Sequence, residues 1–196
     1  TPLFTPTELT GQKIVLLVRH PYDIAVSAYF QSSRDGRKGL GPEHADRPLF
    51  DYVAHEKLPQ VLAFLQRWQE QLDAMGDALV VRDEGLHANA ASELTRLIAF
   101  IEGDADPAEI EAAVRFTTFE AMRRKEAESY FSSDKLRPGD PADPRSFKVR
   151  EGKVGGYRER FTDGELAELD VPLAKADLST FGYAPPPNRK AIEFRG

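Results

Sequence analysis

Arginine and serine side chains in the stretch KIVLLVRHPYDIAVSAYF (residues 13–30) have the types and spacing of an anion-binding site. Arg19 follows five consecutive apolar residues, and Ser27 comes eight residues later. The planar guanidinium has five N–H donors and the hydroxyl adds one O–H donor, a set that suits a phosphate. The spacing is a common one, so this stretch alone slightly favours the alternative, a structural salt bridge at Arg19 and a small helix residue at Ser27.

A second basic stretch, FKVREGKVGGYRERFT (residues 147–162), lies far along the chain. Between Arg145 and Arg160 there are six basic residues and only two acidic ones, in a protein of net charge −6. Glycines such as Gly152 let backbone N–H groups approach an anion, and consecutive amides form a concave anion-binding nest. The alternative is a solvated loop with turn glycines, which is the commoner structure for such a run of charges.

The apolar run Ile14–Val18 is short and closely followed by Pro21, so it predicts a strand buried on both faces, as in a parallel sheet. Pro21 suits the first turn of a helix that carries Ser27. Residues 78–81 predict a second buried strand. Because two parallel strands do not form a stable sheet alone, we expect further strands from sequence before Thr1. Arg19 would then lie at the carboxyl end of its strand, where ligands bind in open α/β sheets.

Periodicity and capping signals predict the remaining elements. A helical pattern over residues 49–75 restarts at Pro59, and residues 91–102 form a helix with Ile101 facing inward. Asp106 begins a helix that runs to about Arg115. The other predicted segments are a helix over 120–128, a capping-box helix beginning at Thr162, and polar loops over 31–48 and 132–146.

Composition excludes several classes of function. The 196 residues have a net charge of −6 and a pI near 5.3, which argues against a nucleic-acid or anionic-membrane partner. The chain has no cysteine, so thiolate metal sites are excluded and a reducing, cytoplasmic compartment is expected. The four histidines have no metal or catalytic-triad spacing, and His20 is expected to hold the turn after Arg19. The oligomeric state stays open.

Three ordered motifs resemble those of the cytosolic-type sulfotransferases, which use 3′-phosphoadenosine 5′-phosphosulfate (PAPS). RHPYDIAVSAYF is similar to their Arg-x-Pro-x-Asp-x-x-x-Ser segment, and VREGKVGGYRERFT to their RKGxxGDWKxxFT signature. TTFEAM, between the two, resembles their T-S-F-x-x-M element, and VVRDEGL is a weaker match to their YED-L segment. The resemblance covers most of the chain.

The resemblance implies an α/β fold, a P-loop-NTPase-like parallel sheet flanked by helices that is incomplete in this chain. Residues 1–184 would be the C-terminal portion of a single sulfotransferase domain, and residues 185–196 a tail. The 5′-phosphosulfate loop and the catalytic histidine would come before Thr1. No catalytic residue is therefore expected within the chain.

The resemblance also implies which residues bind the nucleotide. Arg19 and Ser27 would bind the 3′-phosphate, joined by Arg150 and by the backbone of Glu151 and Gly152. The family usually has Lys or Arg where this chain has Glu151, so that side chain must point away from the phosphate.

The adenine ring would be lined by Thr117, Phe119 and Met122. Phe119 would offer an aromatic face and Thr117 a hydroxyl. The alternative for these three residues is a helix cap with two core side chains. The tyrosine that contacts adenine in the family falls near Arg82 or Asp83, where this chain has no aromatic residue.

The implied activity is transfer of a sulfuryl group from PAPS to a hydroxyl or amine of a small-molecule acceptor. The product nucleotide would be adenosine 3′,5′-bisphosphate, and no metal would be needed. Two alternatives remain, a non-catalytic adenosine-bisphosphate-binding module and a P-loop kinase. Against the kinase, the first strand ends in Arg19 rather than in the Mg²⁺-binding aspartate of a Walker B strand.

Overall fold

The computed structural model of the chain describes residues 11–34, 47–133, 136–138, 147, 149 and 152–185. Two strands, β1 (Ile14–Val18) and β2 (Ala78–Arg82), pair in parallel, with Leu16 opposite Val80. Both predicted strands and the α/β class are thus confirmed. Most of the two predicted polar loops lies outside the described residues.

The described part of the chain also contains seven α-helices. They are α1 (Pro21–Arg34), α2 (Leu49–Tyr52), α3 (Leu58–Met75), α4 (Asp83–Phe100), α5 (Pro107–Phe116), α6 (Phe119–Ala127) and α7 (Asp163–Ala176). A π-helical turn, Val53–Lys57, joins α2 to α3, and two 3₁₀ turns cover Gly156–Glu159 and Ser179–Phe181. None of the described helices is both long and apolar enough to span a membrane.

Local sequence signals set several helix boundaries. Pro59 lies in the first turn of α3, as the predicted restart requires. The Asp106 carboxylate accepts a hydrogen bond from the Ala108 N–H at 2.8 Å, and α5 begins there. At the start of α7, Thr162 and Glu165 form the predicted capping box. Each of these boundaries depends on residues that lie within one helical turn of it, and the sequence alone therefore predicts it.

Helix α4 differs from its prediction at both ends. It begins at Asp83, directly after β2, and is kinked at Asn89, whose φ of −156° and ψ of 82° are not helical. The periodicity detected only the segment beyond this kink. Ile101 was predicted to face inward, but it is 52% exposed because it lies just past the last helical residue.

The sheet also corrects the sequence prediction. Leu16 and Val18 of β1 are buried, whereas Val15 is 40% and Leu17 is 61% exposed. Side chains alternate between the two faces of a strand, so only one face of β1 is covered. The prediction of burial on both faces was wrong for the described chain, because its described helices cover β1 from one side.

The core lies between the buried face of the sheet and helices α1, α3 and α7. Helix α3 packs against both α1 and α7. The largest side chains with less than 2% exposure come from all of these helices and from the segment after α7; they include Tyr22, Leu58, Leu65, Leu169, Leu173, Phe181 and Tyr183. This core holds α1 against the segment that follows α7, and α1 carries residues of the site described below.

We predict that Leu65→Ala lowers the free energy of unfolding by about 2–5 kcal/mol, because it leaves a cavity in this core. Leu65 is 1% exposed, whereas its neighbour Phe64 on the same helix is 44% exposed. Phe64→Ala is the matched control and should cost about 1 kcal/mol or less. Urea unfolding followed by circular dichroism measures both. Equal losses in the two variants would show that α3 does not pack as described.

Candidate functional site

Arg19 lies at the carboxyl end of β1 and contacts two other segments of the chain, the start of α4 and the second basic stretch. Its Nε lies 3.2 Å from Oδ2 of Asp83, the first residue of α4. Both atoms are buried and make no aligned hydrogen bond, so the contact is an ion pair. Its Nη2 donates to the Lys153 carbonyl at 3.3 Å. The two basic stretches that the sequence singled out therefore meet at this guanidinium.

A buried carboxylate holds the second basic stretch against α1. Asp23, in the first turn of α1, is only 5% exposed. Its Oδ2 accepts from the Gly155 N–H at 2.7 Å and its Oδ1 from the Tyr157 N–H at 3.2 Å. Gly155 has a φ of 73°, a left-handed conformation that favours glycine, and the chain turns there into the short 3₁₀ helix. Both oxygens of one side chain thus fix this turn.

Phe119 contacts the same stretch from another direction. Thr118 caps α6, accepting from the Ala121 N–H, so that Phe119 is the first helical residue. Gly152 has a φ of 53°, and a Cβ placed on it would lie 2.5 Å from Cδ2 of Phe119. The ring and the glycine backbone are in direct contact, and any larger residue at position 152 would collide with the ring. The predicted adenine-facing residue and a predicted phosphate-binding residue are therefore adjacent.

A second buried carboxylate joins α6 to the chain just before Arg150. Glu126, in the last turn of α6, is 2% exposed and accepts from the Val149 N–H at 2.9 Å. Nη1 of Arg123 donates to the Val149 carbonyl at 2.7 Å. Glu126 could not be predicted from the sequence, because a glutamate in a polar helix gives no signal that distinguishes a buried acceptor from a solvated one.

For the other predicted site residues that it describes, the structure gives the helix on which each lies, its burial or a local hydrogen bond. Ser27 is half-buried on α1, and Met122 is half-buried on α6. The Thr117 hydroxyl donates to the Ala113 carbonyl at 2.9 Å, which leaves its oxygen lone pairs as acceptors. Arg150 and Glu151 lie outside the described residues. The nucleotide-binding roles assigned to all these residues stay predictions.

His20, which follows Arg19 in the sequence, packs among the rings of three tyrosines. The His20 ring stacks on Tyr157 with centroids 4.7 Å apart, and it makes edge-on contacts with Tyr22 and Tyr183 at centroid distances of 4.9 and 5.5 Å. Nδ1 of His20 accepts from the Tyr22 N–H at 3.3 Å, so His20 holds the turn as expected. Burial lowers the pKa of His20 to about 4, and burial likewise raises the pKa of Tyr183. His20 and Tyr183 are therefore both uncharged at neutral pH.

Arg82 and Asp83 occupy the position where the resemblance places an adenine-binding tyrosine. Asp83 pairs with Arg19, and the Arg82 guanidinium lies over the Tyr183 ring, 4.8 Å from its centroid. Tyr183 in turn donates to Glu84 at 2.9 Å. These side chains are used in ion pairs and stacking.

In the described part of the chain, no three histidine or acidic side chains are grouped as a metal ion would require. The site is instead a meeting point of one guanidinium, a glycine-containing turn and an aromatic ring at a parallel sheet edge. In open α/β proteins, ligands bind at this carboxyl edge of the parallel strands.

Comparison with known proteins gives the family. A family model described as "Sulfotransferase domain" matches residues 5–174. A 3-beta-hydroxysteroid sulfotransferase of Cavia porcellus is 25% identical over 81% of this chain and 53% of its own length. The chain belongs to the sulfotransferase domain family.

Solved structures show the same fold. A mouse sulfotransferase, SULT7A1 complexed with PAP, superposes with a TM-score of 0.67 at 20% identity, over 89% of this chain and 60% of that one. A retinol dehydratase in a complex with retinol and PAP gives a TM-score of 0.65 at 18% identity, over 94% and 52%. The chain thus spans between half and three-fifths of the length of these relatives.

We predict that protonation of His20 destabilises the fold below neutral pH. The pKa of His20 is about 4 in the folded state against 6.5 for an ordinary histidine. Between these values the unfolded chain binds a proton that the folded chain does not. The stabilisation from neutral, buried His20 is therefore complete above pH 6.5 and is lost as the pH falls toward about 4.

Urea unfolding across this pH range, compared between the natural sequence and His20→Gln, measures the effect. The free energy of unfolding should fall more steeply with decreasing pH in the natural sequence, since both proteins share all other titrating groups. Parallel curves for the two proteins would contradict a neutral, buried imidazole.

Proposed function

We propose that this chain provides the 3′-phosphate and adenine site of a PAPS-dependent sulfotransferase. The observation that carries the proposal is the contact of Arg19 with the Lys153 carbonyl, next to the Gly152–Phe119 contact. A phosphate-binding guanidinium, a glycine turn and an aromatic ring are joined there at the end of a parallel strand. Membership of the sulfotransferase domain family supports the same assignment.

In this proposal Arg19, Ser27 and Arg150 bind the 3′-phosphate together with the backbone of Glu151 and Gly152. Among the described residues, the guanidinium of Arg19 is held through Nε and one Nη2 hydrogen, and in this proposal its other N–H groups donate to the phosphate. Phe119, Thr117 and Met122 line the adenine. The nucleotide is thereby anchored at its non-reacting end.

Anchoring serves the reaction by positioning. Sulfuryl transfer is an in-line displacement, in which the acceptor oxygen or nitrogen attacks sulfur as the bond to the 5′-phosphate oxygen breaks. Its rate depends on orientation and on charge stabilisation at the reacting atoms. A rigidly held adenosine 3′-phosphate limits the directions in which the sulfuryl group can point. We expect the general base and the 5′-phosphosulfate loop to come from sequence before Thr1.

The acceptor in this proposal is a small molecule with a hydroxyl or amine. The names of the relatives, a hydroxysteroid sulfotransferase and a retinol dehydratase complexed with retinol, support a hydroxyl group. We further propose that residues 1–184 are the C-terminal portion of one sulfotransferase domain. The lack of cysteine supports a cytoplasmic location.

Removing either proposed phosphate-binding arginine should weaken nucleotide binding. We predict that Arg19→Ala and Arg150→Ala each lower the affinity for adenosine 3′,5′-bisphosphate at least tenfold, about 1.4 kcal/mol or more. Titration calorimetry on the full-length protein that contains this chain measures it. Lys175→Ala, which removes an exposed cation of α7, is the control and should leave the affinity unchanged.

Unchanged affinity in both arginine variants would overturn the site assignment. Turnover of PAPS with a panel of alcohols and amines tests the activity itself. A protein that binds adenosine 3′,5′-bisphosphate but transfers no sulfuryl group would be the non-catalytic module. Mg²⁺-ATP-dependent binding that ignores adenosine 3′,5′-bisphosphate would indicate a kinase.

A further inference from the structure

We propose that Asp83 is a positioning residue that orients the Arg19 guanidinium for the 3′-phosphate of the nucleotide. The inference rests on the proposed function and adds to it a residue that does not touch the nucleotide. Asp83 begins α4 and directly follows β2, and Arg19 directly follows the paired strand β1. The two side chains therefore meet at the carboxyl edge of the strand pair, where ligands bind in open α/β sheets.

Two contacts hold the Arg19 guanidinium, and they come from different segments of the chain. Its Nε lies 3.2 Å from Oδ2 of Asp83, and its Nη2 donates to the Lys153 carbonyl at 3.3 Å. A guanidinium is planar, so contacts at two of its three nitrogens also fix the plane in which its other N–H groups point. The side chains of Arg19 and Asp83 are 31% and 24% exposed, and solvent therefore screens the pair only in part. A phosphate that binds this guanidinium has less side-chain motion to arrest.

Stability alone does not account for a carboxylate at position 83. Oδ2 of Asp83 and Nε of Arg19 are buried atoms that make no hydrogen bond within the described chain. Buried polar atoms of this kind are uncommon in native structures, and each of them costs stability. Oδ2 does not cap α4 either, and Glu84 also supplies an anion to the first turn of that helix. A role in orienting the guanidinium gives a reason for the second anion.

The negative charge of Asp83 also repels a phosphate, so orientation and repulsion have opposite effects on affinity. Orientation outweighs repulsion in this proposal, because the positive guanidinium would lie between the two anions. Asp83 contacts only Nε, which carries one of the five N–H donors, whereas a bidentate contact to a phosphate needs two donors. Nε2 of His87 lies 3.8 Å from the same Asp83 oxygen, which is beyond hydrogen-bond distance.

The test is a double-mutant cycle of Asp83→Asn and Arg19→Ala. Adenosine 3′,5′-bisphosphate and 5′-AMP, which lacks the 3′-phosphate, are titrated by calorimetry into the full-length protein that contains this chain. We expect Asp83→Asn to lower the affinity for the bisphosphate about fivefold or more, and that for 5′-AMP less than about twofold. In the Arg19→Ala background the same substitution should lower neither affinity, because the group that Asp83 orients is absent.

Glu93→Gln is the matched control for this cycle. It removes another acid of α4 that pairs with an arginine, since Oε2 of Glu93 lies 2.5 Å from Nη2 of Arg96. Both nucleotide affinities should stay unchanged in this variant. A loss of bisphosphate affinity that matched the loss in Asp83→Asn would show a general effect of charge on α4, and it would count against the inference.

Hydrogen exchange of the Arg19 Nε–H, followed by NMR, tests the orientation without any nucleotide. The signal is assigned by its absence from the spectrum of Arg19→Ala. Exchange should be slower in the natural sequence than in Asp83→Asn, because the ion pair keeps Nε in its buried position. Equal exchange rates in the two proteins would contradict the proposed orientation.

Unchanged or higher bisphosphate affinity in Asp83→Asn would overturn the inference. Equal losses for the two nucleotides, or the same loss in the Arg19→Ala background, would overturn it as well. If Asp83→Asn does not fold, Asp83→Ser, whose side chain also suits a helix start, takes its place with the same expected results. Failure of both variants to fold would show a purely structural role. Failure of the proposed function is a separate outcome, because the natural sequence would then not bind the bisphosphate although the exchange rates still differed.

Discussion

The site depends on the two hydrogen bonds that the buried Asp23 carboxylate accepts from Gly155 and Tyr157. Asp23 is four residues from Arg19, so fixing the start of α1 to this turn also brings the end of β1 to the second basic stretch. The Arg19–Lys153 contact follows from that geometry. Unsatisfied N–H groups at a buried site are costly, and this makes the arrangement specific rather than one of several similar packings.

Several charges around the site are paired with opposite charges among the described residues. Arg19 pairs with Asp83, Lys153 with Glu159, and Arg82 lies near Glu84. His20 is neutral because it is buried among aromatic rings. A nucleotide phosphate would therefore meet a guanidinium already oriented by an anion on its Nε side. Orientation of this kind lowers the entropy lost on binding, although the same carboxylate repels the phosphate.

Local and long-range features of the fold differ in how well they could be predicted. The strand Ile14–Val18, the restart at Pro59 and the caps at Asp106 and Thr162 depend on neighbouring residues, and the structure has them as predicted. The uncovered face of β1 depends on which helices pack against it, and an apolar run does not contain that information. Periodicity did not predict the kink at Asn89 or the exposure of Ile101, because an apolar pattern does not show which part of the protein packs against it.

For the site, the sequence by itself determined which residue types were available: an arginine after an apolar strand, a glycine-containing basic stretch and a Thr-Thr-Phe helix start. Motif order added the family resemblance. Only the tertiary structure decided that Arg19 reaches Lys153, that Phe119 rests on Gly152, and that Asp23 and Glu126 are buried acceptors. The physical reason is that these contacts join residues more than 20 and up to 134 positions apart, and their hydrogen bonds exist only once the core has brought those segments together.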